Sequence, residues 1–142
     1  MQYRDFGQLS FKPSALGFGA MRLPVHQGED GKPDFKRIDY ELADALLYRA
    51  IEGGVTYIDT AWMYHEHACE SWLGRALQGG WRERVKIATK MPVWDVEKPS
   101  DFDRILGVQR ERLQTDHIDY YLLHSLDESH WRYVVDQDQL AA

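Results

Sequence analysis

Two rhythms of apolar residues alternate along the chain. Ala43, Leu46, Leu47, Ala50 and Ile51 fall at i, i+3, i+4, i+7 and i+8, which predicts a helix buried on one side and stopped by Gly53-Gly54. Cys69, Trp72, Leu73, Ala76 and Leu77 repeat the stripe, and Gly79-Gly80 repeat the stop. Pro99-Ser100, with Asp103 three residues on, predicts a capping box that opens a third helix with Phe102, Ile105, Leu106 and Leu113 on its buried face. A fourth helix is predicted from about Glu128 and carries Trp131, Val134 and Val135.

The intervening runs are short and rich in β-branched and aromatic residues, the composition of strands. Three are predicted with starts at Val55, Val85 and Ile118, ending at Asp59, Thr89 and Leu123, and starts 30 and 33 residues apart match one βα unit each. Ala15-Leu16-Gly17-Phe18-Gly19 reads as an earlier first strand, whose two glycines point to a close approach to its backbone. Ahead of it, the stretch from Tyr3 to Lys12 alternates around Gly7 and predicts a small β-hairpin, while Gln27 to Pro33 reads as a turn-rich surface loop. No linker or low-complexity tract interrupts the pattern, so residues 1–142 are expected to form a single α/β domain with a parallel sheet.

Composition narrows the chemistry. With 17 Lys+Arg against 23 Asp+Glu the net charge is -6, which argues against nucleic acid or an anionic membrane as partner, because both require a basic face. The lone Cys69 has no internal disulfide partner, and the polar start Met1-Gln2-Tyr3-Arg4-Asp5 lacks a secretory core, so a cytoplasmic location is expected. A small carbonyl-type ligand fits this balance.

In a parallel βα sheet, ligand sites gather at the carboxyl ends of the strands. Asp59 ends one strand, Lys90 follows the next, His124 follows the third, and Tyr64 lies five residues beyond Asp59. A tyrosine titrates near ~10 when unperturbed, too high for an efficient acid at neutral pH, so it needs a neighbour that stabilises its anion. A Lys held by an Asp supplies that positive charge, and a neutral His can orient a carbonyl. The bland alternative is a structural Asp59–Lys90 ion pair, a packed Tyr64 and a satisfied His124.

Gly54 to Tyr64, followed by Glu70-Ser71-Trp72-Leu73-Gly74-Arg75-Ala76-Leu77, resembles the signature block of the aldo/keto reductase superfamily. Ala88-Thr89-Lys90-Met91-Pro92, Asp119 to His124, and Ser14 to Pro24 resemble its other landmarks, the last leaning toward the bacterial branch. The resemblance implies the N-terminal portion, about four βα units, of a TIM (β/α)8 barrel. It implies NADPH-dependent reduction of an aldehyde or ketone, with NADH the second option and no metal. Tyr64 is then the general acid, Asp59 and Lys90 tune it, and His124 places the carbonyl. Ala20, Met21 and Asp59 are expected near the nicotinamide ribose, and Trp62 and Trp94 are candidates for the substrate wall. One departure stands out: His65 follows the tyrosine where the family usually has glycine.

A complete barrel takes roughly 250 residues, so about half is expected to be absent. The readings open are a truncated, inactive piece, a chain that self-associates through exposed strand edges, and half of a split enzyme. The first is favoured, because the tail Asp136 to Ala142 shows no capping end. Two other chemistries compete. His65-Glu66-His67 with Asp59 and His124 is the donor set of a metal-dependent hydrolase, though the pair sits late for that architecture. Lys90 as a Schiff-base nucleophile is opposed by its Asp partner, which keeps an amine protonated. Gly17-Phe18-Gly19 lacks the third glycine and the helix start of a phosphate cradle.

Overall fold

Residues 1–136 are described by a computed structural model; the remainder of the predicted tail lies outside the described residues. Among the described residues the strands and helices follow the expected βα order, except that two further strands, unassigned by the pattern, come between the first strand and the first helix. The elements are β1 (Phe18–Gly19), β2 (Val25–Gln27), β3 (Pro33–Ile38), α1 (Tyr40–Glu52), β4 (Tyr57–Asp59), α2 (Cys69–Ala76), β5 (Lys86–Met91), α3 (Ser100–Leu113), β6 (Tyr120–Leu123) and α4 (Glu128–Asp136). The sheet order is β1-β4-β5-β6, and every pairing is parallel. Each strand lies beside the one before it with no reversal of order, which is the progression of a βα barrel and not of a doubly wound sheet.

Burial follows the stripes. Ala43, Leu47 and Ile51 of α1 and Cys69, Trp72, Leu73 and Ala76 of α2 pack with Ile58 and Ile87 into one apolar cluster. Leu46 departs from its stripe and is exposed. A second cluster joins Met91, Val93, Val96, Ile105 and Val134. Along β5 the two faces separate: Ile87 and Met91 pack among the clusters, while Ala88 and Lys90 lie on the opposite face in register with Tyr120 and Leu122 of β6.

Two local expectations resolve differently, and the predicted loop gains flanking strands. The N-terminal turn-back exists as a single antiparallel bridge, Tyr3 opposite Ser14, without regular strands, and it carries Phe6 edge-on to Tyr120 at 5.4 Å. The regular hairpin is β2–β3, and Gln27 to Pro33 is its connection, with Gly31 at a φ of +75°. The capping box of α3 does not form, since Ser100 makes no capping bond. Asp101, one residue into the helix, accepts instead from the N–H groups of Glu97 (3.1 Å) and Lys98 (3.2 Å). No helix among the described residues is long and apolar enough to cross a membrane.

Candidate active site

Three neighbouring strands deliver the cluster. Asp59 is the last residue of β4, His124 the first after β6, and Lys90 the penultimate residue of β5. Sequence pattern ended that strand at Thr89; pairing of Lys90 with Leu122 and of Met91 with Leu123 carries it two residues further. Lys90 therefore rides on the sheet rather than in a loop. Tyr64 arrives from the turn between β4 and α2, where its N–H donates to Ala61 O (3.2 Å) and its carbonyl accepts from Cys69 N–H (3.3 Å).

The Lys90 Nζ stands 2.8 Å from Asp59 Oδ1, 2.8 Å from Thr60 O and 3.2 Å from Tyr64 Oη. An ammonium has three N–H donors and no acceptor, so the Tyr64 oxygen accepts and its own hydroxyl proton is left to point elsewhere. The Lys90 side chain is only 14% exposed, which shields the Asp59 pair from solvent screening. On the other side, the His124 ring stands nearly perpendicular to Tyr64 with centroids 5.9 Å apart. Burial and then the Lys90 ammonium push the His124 pKa below its ordinary 6.5, with Asp59 opposing in part. The ring is neutral at pH 7, and its Nδ1 is buried without a hydrogen-bond partner.

A cavity of about 500 Å³ lies against Tyr64 and His124, walled by Met21, Phe35 and Met63 with Arg22 among its polar groups. Met21, expected on the cofactor side of the site, comes from the segment before β2, and Phe35, which sequence pattern did not associate with the site, comes from β3. Trp62 is not part of this lining: it packs against the second apolar cluster, and the Arg112 guanidinium covers its ring at 4.1 Å. Its neighbour Met63 lines the cavity instead. Trp94 lies 5.2 Å from the His124 ring and lines a separate hollow with Val96 and Tyr133. Ala20 is fully buried and its carbonyl accepts from Cys69 Sγ (3.3 Å), whose thiol is pushed up to about 12 chiefly by burial. Gly19, paired with Asp59, has open space where a side chain would stand.

The histidines of the His65-Glu66-His67 run are committed elsewhere. His65 bonds Leu23 N–H through Nε2 (3.1 Å) and Phe35 O through Nδ1 (3.1 Å), and His67 Nδ1 bonds Trp62 O (2.9 Å). No group of three His, Cys, Asp or Glu among the described residues is placed to hold a metal ion. With both ring nitrogens of His65 engaged, the donor set that the metal-hydrolase reading needs is not assembled among the described residues. All three residues of the run take positive φ (52°, 49° and 74°), the region that favours glycine and costs other residues about 1–2 kcal/mol each.

Behind the sheet lies a polar network that sequence pattern missed. Glu70 is buried and accepts from Thr89 Oγ1 (2.7 Å) and Gln109 Nε2 (2.7 Å), and pairs with Arg112 (3.3 Å). Gln109 also donates to Lys90 O (3.1 Å) and accepts from the Tyr121 hydroxyl. The signal was present: Gln109 sits midway between Ile105 and Leu113 on an apolar stripe, and Glu70 three residues before Leu73 on another. At the opposite end of the strands, Asp119 pairs with Arg82 (2.8 Å) and Lys86 (2.7 Å) and accepts from Ile87 N–H (2.9 Å). Burial pushes that carboxyl up, but Lys86, the Ile87 amide and Arg82 together hold it below the usual carboxylate range.

A parallel sheet laid down strand by strand, with its ionisable cluster at the carboxyl ends, defines one half of a βα barrel carrying a rim site. The chain belongs to the aldo/keto reductase family, whose model matches residues 15–138. Among solved structures it is similar to a putative aldo-keto reductase from Pseudomonas aeruginosa (25% identity, TM-score 0.72), covering 98% of this chain and 52% of that one. It is similar to the holo form of aldo-keto reductase AKR11C1 from Bacillus halodurans (25% identity, TM-score 0.68), covering 98% of this chain and 48% of that one. It is also similar to an aldo-keto reductase from Klebsiella pneumoniae in complex with NADPH (27% identity, TM-score 0.63), covering 90% and 43%. The chain thus spans about half the length of the reductases it matches.

Proposed function

We propose that this chain carries the proton-donating half of an NADPH-dependent reductase of aldehydes or ketones. The observation that carries the reading is Lys90 Nζ bonded at once to Asp59, Thr60 and Tyr64. The ammonium faces the oxygen on which negative charge appears as the proton leaves, in a site partly shielded from water. Tyr64 gives its proton to the carbonyl oxygen in the cavity, and the phenolate left behind accepts from Lys90. Asp59 keeps the ammonium charged and fixed. His124, neutral at the working pH, donates a ring N–H to the same carbonyl oxygen and sets its orientation.

The residues fit the cofactor: Gly19 leaves open space beside Asp59, Ala20 and Met21 follow at the end of β1, and His124 offers a buried ring nitrogen without a partner. Held there, NADPH would be the source of hydride for the carbonyl carbon, and NADH is the second candidate. The solved Klebsiella relative in complex with NADPH supports this choice. Trp94, against His124, is proposed as an outer wall of the substrate site. The partner is therefore a small carbonyl compound, and a complementary set of strands, from a second copy or from a further part of the protein, closes the sheet.

The test is a titration with NADPH, followed by quenching of the five tryptophans. Saturable binding at micromolar levels is expected, and Tyr64→Phe should then retain that binding while turnover of a carbonyl substrate falls about 10²–10⁴-fold. Saturable binding with unchanged turnover in Tyr64→Phe would overturn the assignment of the acid. A chain that never binds the cofactor would be the inactive piece.

A further inference from the structure

His65 stands next to the proposed acid but takes no part in the proton transfer. It is nearly buried at 5% exposure, and both of its ring nitrogens are used. Phe35 O is a carbonyl and only accepts, so Nδ1 must carry the proton; Nε2 is then bare and accepts from Leu23 N–H. The tautomer is fixed by its two partners. Those partners belong to different segments. Leu23 ends the short turn that holds Met21 and Arg22, and Phe35 lies in the β2–β3 hairpin. Met21 and Phe35 wall the cavity, and His65 joins both segments to the turn that bears Tyr64. A second link, Lys36 to Glu66 at 3.0 Å, is solvent-exposed and adds little.

The backbone at this position does not itself favour histidine. A φ of +52° suits glycine, and glycine would leave the two backbone groups without their imidazole partner. Building on the reductase reading above, we propose that His65 is a positioning residue. As the Nδ1-protonated imidazole it pins the Met21 turn and the β2–β3 hairpin over Tyr64, making Phe35 and Met21 a fixed wall for the apolar substituent of the carbonyl substrate.

The experiment compares wild type with His65→Gly and His65→Gln in the whole chain. Imidazole ¹⁵N shifts should report the neutral Nδ1–H tautomer. Amide hydrogen exchange at Leu23 should rise about tenfold or more in His65→Gly, the scale of losing two hydrogen bonds. Exchange in the hairpin should rise with it, while amides of β5 stay unchanged. His65→Gln, whose side-chain oxygen reaches toward the Leu23 N–H, should recover protection at Leu23. Unchanged exchange at Leu23 in His65→Gly, an Nε2–H tautomer, or equal loss of protection in β5 would overturn the proposal. In a form that turns over, His65→Gly should raise KM for an aromatic aldehyde about tenfold with kcat little changed; a fall in kcat alone would also overturn it. If wild type fails to bind NADPH, the reductase reading falls, while the exchange and tautomer results still decide whether His65 pins the two segments.

Discussion

Lys90 is the residue on which the site turns. Its three N–H bonds go to a carboxylate, a carbonyl and the tyrosine oxygen, so its direction is set before any ligand arrives. That arrangement also reaches His124, which burial and the same ammonium hold in its neutral form. The sign of the linkage follows. Because the folded pKa lies below 6.5, the unfolded chain binds more protons just below that pH, so His124 costs the fold stability as pH falls from 6.5 toward the folded value. An NMR titration of the His124 ring should give a midpoint below 6.5, and in Lys90→Met it should move upward, since one of the two lowering causes is gone. A midpoint that stays put would remove Lys90 from the electrostatics of the site. That Asp59, Lys90 and His124 would gather at one rim was legible in sequence because strand-end positions in a βα pattern are few. Met63, Phe35 and the roles of His65 were not, because a residue's choice between cavity and core depends on the turn that carries it.

At the scale of elements, α2 and α3 are tightly apposed. A side-chain carbon added at Gly74 would stand 2.3 Å from Arg112 O and 2.6 Å from Leu113 C, both backbone atoms that cannot step aside. Gly74→Ala should therefore destabilise the fold by about 3 kcal/mol or more, the upper end of overpacking costs, despite alanine's better helix propensity. Urea unfolding measures this, and a variant as stable as wild type would mean the two helices slide freely. The same crossing brings Arg112 onto Glu70 and Gln109 onto Lys90 O, so the helix layer supports the strand that carries the lysine. Sequence periodicity found both helices and their apolar stripes. It treated Glu70 and Gln109 as part of neither core nor site, because a buried polar residue is recognisable only when its partners on another element are known.

For the whole molecule, the two ends of the sheet divide the labour. The carboxyl ends hold the Asp59–Lys90–Tyr64 cluster beside a cavity, whereas the amino ends hold Asp119 locked by Arg82 and Lys86, with Phe6 packed across Tyr120. Within the described residues, β1 and β6 are edge strands, Leu122 of β6 is exposed, and Leu126, Trp131 and Val135, which follow β6 in the chain, are exposed as well. Unpaired edges beside apolar side chains favour association. Sedimentation over a range of concentrations should show species larger than the 16.6 kDa chain, and addition of the complementary strands should replace them with one defined complex. A strictly monomeric chain at all concentrations would show that these edges are covered within the chain.

The amino-acid pattern by itself determined the alternation of strands and helices, the parallel class of the sheet and the four ionisable residues at its rim. Periodicity and strand-end position are local properties, and they survive without knowledge of the neighbours. Tertiary structure decided the rest. It extended β5 through Lys90 because β6 continued to offer partners, and made strands of the unassigned segments flanking the Gln27–Pro33 loop because they pair with each other. It also turned Trp62 under Arg112 and spent both nitrogens of His65 on two distant backbone groups. Each of these depends on which groups meet across long sequence separations, and hydrogen bonds and cation–π contacts of that kind are fixed only when the chain has closed upon itself.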